Sequence, residues 1–193
     1  MNNILTEKEY QAFFLERLAD SGCIIRDANR FDRYFALDCE MLFTFLNGTQ
    51  PDERTALRKV CKHEPEDTLV NYIINEITKS RSSLRDVLKH GIEVGGKRLD
   101  LMYTKPATTF NTALYARYSQ NVLSVMEEVW ASDKERVDGV IFLNGFAVMP
   151  FELKCNYAHQ NYEHAIRQYR TERNPDTRGI RSERQMSNWF WFK

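Results

Sequence analysis

RVDGVIFLNGFAVMPFELK, residues 136–154, consists of two apolar runs joined by Asn144-Gly145. Asn-Gly between two such runs is a strong hairpin signal, because both residues accept the positive φ that a tight turn demands. The stretch therefore reads as an antiparallel strand pair. Its charges gather at the open end: Asp138 starts the first strand, and Glu152 and Lys154 finish the second. Two carboxylates and a lysine brought together by one hairpin suit Mg²⁺-dependent phosphodiester hydrolysis. Carboxylate oxygens suit a hard cation, the cation activates water, and an ammonium group holds water or phosphate.

Register decides whether the three residues can meet. Side chains alternate along a strand, so Glu152 and Lys154 share a face. A two-residue turn followed by regular pairing sets Asp138 opposite Phe151, on the wrong face. A three-residue loop Leu143-Asn144-Gly145, with Gly145 left-handed in a G1 bulge, shifts the pairing by one and brings Asp138 round. A bulge at Pro150, which has no N–H to give the ladder, does the same. A metal site made of Asp138, Glu152 and the main-chain carbonyl of Leu153 thus requires one irregularity. Without it, the chain's one acidic-x-Lys triplet is a surface salt bridge at the end of a hairpin.

Composition narrows the setting. A chain of 193 residues is long enough for one domain with a real core and short for two. Hydrophobic residues at 42% and charged residues at 28% suit a soluble globular protein. Lys+Arg and Asp+Glu both total 27, so any contact with nucleic acid must come from local patches rather than a global basic field. Cys23, Cys39, Cys61 and Cys155 are scattered, which reads as reduced thiols rather than a disulfide scaffold or zinc site. No run has membrane-spanning length and MNNILTEKEY is no signal peptide, so a cytoplasmic location without membrane contact is expected.

The N-terminal third reads as helical. Thr6 and Glu9 form a capping-box pattern, and Tyr10, Phe13, Phe14 and Leu18 recur at helical spacing until Ser21-Gly22. A second helix is expected over about 37–46, with Leu42, Phe43 and Leu46 on one side and Asn47-Gly48 as its stop. Gln50-Pro51 introduces a third helix. A fourth, from Asp67 to Ile77, carries Leu69, Val70, Ile73, Ile74 and Ile77. From about residue 90 the pattern turns to strands. Ile92 and Val94, then Gly95-Gly96, then residues 98–103 read as a hairpin. NVLSVMEEVW, residues 121–130, fits a helix by its spacing and a strand by its β-branched content. Residues 162–173 read as a final helix. Helices around a strand core make an α/β or α+β domain.

Several of these stretches carry a family resemblance. From EKEYQAFFLERLADSG through ALDCEMLFTFLNGTQP, LMYTKP, FNTALYARYSQNVLSVMEEVWASDKERVDGVIFLNG and FELKCNYAHQNYEHAIRQYRTER, to about Arg178, the chain resembles the N-terminal region of the R (restriction) subunit of type I restriction-modification enzymes. The resemblance implies a PD-(D/E)xK nuclease fold, a mixed β-sheet flanked by helices, with a helical part over about 1–90 and the sheet and active site over about 91–173. It implies Asp138, Glu152 and Lys154 as catalytic residues, Mg²⁺ as cofactor and double-stranded DNA as substrate. It also implies that residues 121–130 form a strand. Methylation and specificity subunits are the implied partners, and ATP serves only the motor of a full-length R subunit.

The chain also departs from that pattern. A Q-x-x-x-Y motif is common in the helix after the E-x-K strand; here Gln168 fits, but Glu172 stands where the tyrosine belongs. Gln168, with Arg170 and Arg173 on the same predicted helix, is the expected DNA contact, against the blander reading of a solvated face. The auxiliary acid of the first helix falls at Glu9, with Glu7 and Gln11 as the other candidates. Residues 179–193, GIRSERQMSNWFWFK, look unlike the family, as a truncated product would, and no Walker-type G-x-x-x-x-G-K-[ST] occurs. Their aromatic ending is expected to cover an open sheet edge or to pair two copies of the chain. The competing reading is a catalytically silent remnant, or a module that docks onto the partner subunits.

Overall fold

A computed structural model describes residues 6–60, 64–79, 83–131, 136–153 and 162–167. Its centre is a four-stranded sheet in the order β1-β4-β5-β6. Strand β1 (Ile24–Arg26) runs parallel to β4 (Leu123–Trp130). Strands β5 (Arg136–Leu143) and β6 (Phe146–Phe151) continue antiparallel, so the sheet is mixed. A second, two-stranded sheet pairs β2 (Ile92–Val94) with β3 (Lys97–Leu99). The fold class is thus the expected mixture of helices and strands. Residues 123–130 are a strand, as the family resemblance implied, because β1 and β5 supply backbone partners on both sides. The helical spacing of the valines in that segment misleads. Among the described residues no helix is long and apolar enough to cross a membrane.

Helix α1 (Glu7–Asp20) starts with the expected capping box. The Thr6 hydroxyl accepts from the Glu9 amide, and the Glu9 carboxylate accepts from the Thr6 amide at 2.7 Å. Its buried stripe differs from the expected one. Leu15 is buried, Phe14 meets Phe151 edge-on at 5.1 Å, and Leu18 packs beside them, whereas Tyr10 and Phe13 are exposed. The reason is the small target: α1 covers Cys23, Val125, Ile141 and Phe151, too narrow a patch for the whole four-residue apolar row.

The larger core lies on the other side, between Met126, Val140 and Phe142 of the sheet and the remaining helices. Helix α2 (Cys39–Thr49) buries Leu42, Phe45 and Leu46 there. It runs through the expected stop at Asn47-Gly48, because Asn47 spends its side chain on a bond from Arg54 instead of a turn. Asp38 caps α2 and is itself gripped by Arg26, whose Nε reaches Oδ2 at 2.9 Å. Helices α3 (Pro51–Val60), α4 (Pro65–Thr78) and α5 (Leu84–His90) complete this layer, with Leu69, Val70, Ile73 and Ile77 of α4 buried as expected. The second strand of the 92–103 hairpin is shorter than the sequence suggests. Gln50 clamps both the N–H and the C=O of Asp100, at 2.8 and 2.7 Å, and takes the chain away from the ladder after Leu99. A short exposed helix, α6 (Thr112–Tyr118), precedes β4, and α7 (Tyr162–Arg167) follows β6.

Candidate functional site

The β5–β6 hairpin has both a tight turn and an irregularity. Leu143 pairs with Phe146 across Asn144-Gly145, a two-residue turn with φ of 51° and 87°. Phe142 pairs with Ala147, but Ile141 pairs with Met149, leaving Val148 as an extra residue on β6. This bulge shifts every later pair by one, and Gly139 faces Phe151. It lies neither at the turn nor at Pro150, the two places suggested by the sequence, since Pro150 keeps its place opposite Val140. The ladder ends at Gly139–Phe151, so Asp138 and Glu152 are the next residue of each strand beyond the last pair.

A hydrogen bond fixes this end of the hairpin. The Leu153 amide donates to Asp138 Oδ2 at 2.7 Å, a charge-assisted bond of the stronger kind. Asp138 and Glu152 are half-buried, and Leu153 is buried. Phe151 packs over Gly139, which leaves room for its ring. A Cβ at position 139 would lie 2.2 Å from that ring. Gly139 is therefore needed for Phe151 to lock β6 onto β5 and reach Phe14 of α1.

Three further side chains crowd this end of the sheet. Arg136 shares the face of Asp138 by alternation and pairs across the ladder with Trp130. Its guanidinium carbon lies 5.8 Å from the Trp130 ring centroid, and Nη1 lies 3.2 Å from Glu128 Oε2. Glu128 lies across from Asp138, between the pairs Glu127–Gly139 and Val129–Val137, with a left-handed φ of 49°. Such a φ is uncommon for any residue but glycine.

Helix α1 has its candidate residues Glu9 and Gln11 engaged in other bonds. The Glu9 carboxylate, expected as an auxiliary acid, is committed to the Thr6 cap, which lowers its pKa. Gln11 donates to Glu127 at 3.0 Å, and Glu127 pairs with Gly139, the residue after Asp138. Lys154, Gln168, Arg170 and Arg173 lie outside the described residues. Among the described residues, no three His, Cys, Asp or Glu side chains converge as a metal site. Two carboxylates and the Leu153 carbonyl are still chemically a fitting donor set for Mg²⁺, which keeps several waters and takes few protein oxygens.

Sequence reasoning missed Glu128 and Trp130, because neither left-handed backbone in a strand nor an exposed cross-strand pair leaves a local signature. It also missed a second role for Asn144. This turn residue is fully buried; its Oδ1 accepts from the Val122 amide at 2.7 Å, and its Nδ2 donates to the Leu101 carbonyl and to Asn121 at 3.0 Å each. Asn-Gly announces a turn, but nothing in the pair announces that the turn will be enclosed.

Comparison with known proteins places the chain. Residues 48–192 match the family model described as type I restriction enzyme R protein N terminus. The chain belongs to that family. The match takes in the whole β5–β6 hairpin and runs past Arg178, where the resemblance read from the sequence ended. No curated protein and no solved structure matches the chain.

Proposed function

We propose that this R-protein domain is the DNA-cleaving part of its restriction enzyme, hydrolysing phosphodiester bonds with Mg²⁺ at Asp138, Glu152 and Lys154 in the manner of PD-(D/E)xK nucleases. The observation that supports the reading most is the hydrogen bond from the Leu153 amide to Asp138 Oδ2, which ties the end of β6 that carries Glu152 to the carboxylate of β5. A surface salt bridge at a hairpin end needs no such bond to the main chain.

The residues divide the work as follows. Asp138 and Glu152 hold the cation, with Asp138 oriented by the Leu153 amide. The Leu153 carbonyl adds a third oxygen. Bound Mg²⁺ would activate the attacking water and neutralise charge on the scissile phosphate. Lys154 stabilises the charge that develops on the phosphate. Gln168, Arg170 and Arg173 are assigned from sequence alone to the DNA backbone. Double-stranded DNA is the substrate, methylation and specificity subunits are the partners, and ATP belongs to a motor region.

The opposing reading is a silent docking module. Cleavage of supercoiled plasmid in Mg²⁺ separates the two. Asp138→Ala and Glu152→Ala are each expected to lower the rate by about 100-fold or more, and to remove Mn²⁺ binding measured by calorimetry. Undiminished cleavage in either variant would exclude the assigned roles. A chain that binds no Mn²⁺, and cuts nothing even with its partner subunits, establishes the docking module instead.

A further inference from the structure

The Arg136–Glu128 pair sits beside the carboxylates without serving the core. Both side chains are open to solvent, with 45% and 59% of their surfaces exposed. Trp130, across the ladder from Arg136, is about half exposed as well. An exposed ion pair contributes little to folding, so the pair does not account for the left-handed backbone of Glu128. Strained backbone of this kind concentrates at functional sites. The position is also specific. Arg136 is two residues before Asp138 on the same strand face, and Glu128 lies across from Asp138 itself. Arg is the side chain best matched to phosphate oxygens, and this one stands two residues from Asp138 on the same strand.

We propose that Arg136 is a phosphate-positioning residue for the DNA strand at the Asp138–Glu152 site, parked on Glu128 until a backbone phosphate displaces that carboxylate. This rests on the nuclease reading above. The exchange replaces one anionic partner by another, so it costs little in an exposed setting. The Trp130 ring keeps the guanidinium plane from swinging away while the partners change. Glu128 then acts as a brake on DNA binding, and Arg136 as the contact it restrains.

Duplex binding, measured by fluorescence anisotropy with Ca²⁺ replacing Mg²⁺ so that nothing is cut, tests this with a double-mutant cycle. Arg136→Ala is expected to weaken binding roughly 3- to 10-fold and to reduce the salt dependence by about one phosphate contact. Glu128→Gln is expected to tighten binding by about 3-fold, a gain that disappears in the Arg136→Ala background. If the gain persists there, Glu128 merely repels DNA and the parking role is wrong. Unchanged binding in both single variants, or no duplex binding by the unaltered chain, also overturns it. Should Glu128→Gln fold poorly, Glu128→Asn serves, since Asn tolerates left-handed backbone. Failure of the cycle while Asp138→Ala still abolishes cleavage removes only the role of Arg136. Cleavage that survives Asp138→Ala removes the nuclease reading itself.

Discussion

The two ends of the β5–β6 hairpin are built on opposite principles. At the turn end everything is enclosed and paired. Asn144 is fully buried with its side-chain groups bonded, and the Gly145 carbonyl accepts from the Asp38 amide at 2.8 Å. At the open end, the half-buried carboxylates of Asp138 and Glu152 lie near an exposed Arg136, a strained Glu128 and an exposed Trp130. The turn end fixes the hairpin against α2 and the 101–122 segment, and the open end uses that rigidity to hold charges at defined positions. Precise placement of charged groups requires a stiff support, and here the support lies at the other end of the same two strands.

Four substitutions or conditions probe that contrast. The greatest loss of stability is expected from Gly145→Ala. Its Cβ would lie 2.4 Å from the Asp38 carbonyl oxygen and 2.7 Å from the Leu42 amide nitrogen, at a φ of 87°. A cost of about 3 kcal/mol or more should appear in urea unfolding. Next comes Asn144→Ala, which strands the Val122 amide and the Leu101 carbonyl inside the protein. About 2–3 kcal/mol is expected, with the Tm falling accordingly. If either variant unfolds no more easily than the parent, the turn end is not the anchor.

The open end should respond with the opposite sign. Glu128→Gly relieves the left-handed backbone, which glycine adopts freely, and is expected to stabilise by about 1 kcal/mol. A loss instead would mean that the Arg136 pair carries structural weight. The smallest expected effect is an acid one. Arg58 holds the Glu66 carboxyl below its ordinary value of 4.5, and Arg26 does the same for Glu40. A lowered folded-state pKa gives stability that is complete above the ordinary value and is lost as pH falls through the folded one. Urea midpoints should therefore decline gently below about pH 4.5. Both carboxylates are exposed enough for salt to blunt the decline.

The charged end of the hairpin was more legible in sequence than its geometry. Asn144-Gly145 marked the turn, and pairing arithmetic showed that Asp138 and Glu152 share a face only if one residue is out of step. The residue that steps out, Val148, has no distinguishing chemistry, and Pro150, which does, stays in register. Strand β1 was invisible for a related reason. Three residues, Ile24–Arg26, carry no periodicity, and they form a strand because β4 offers them a parallel partner.

What the sequence determined by itself is local. The capping box at Thr6 and Glu9, the turn at Asn144-Gly145 and the stripe of α4 each depend on residues a few positions apart. The tertiary structure decided the rest. It turned residues 123–130 into a strand by giving them neighbours on both sides. It carried α2 through Asn47-Gly48 by giving Asn47 to Arg54, and it chose Val148 as the bulge. In each case the deciding energy comes from partners distant in the chain. Local propensities differ by only about 1 kcal/mol per residue, and a buried contact or a satisfied hydrogen bond outweighs them.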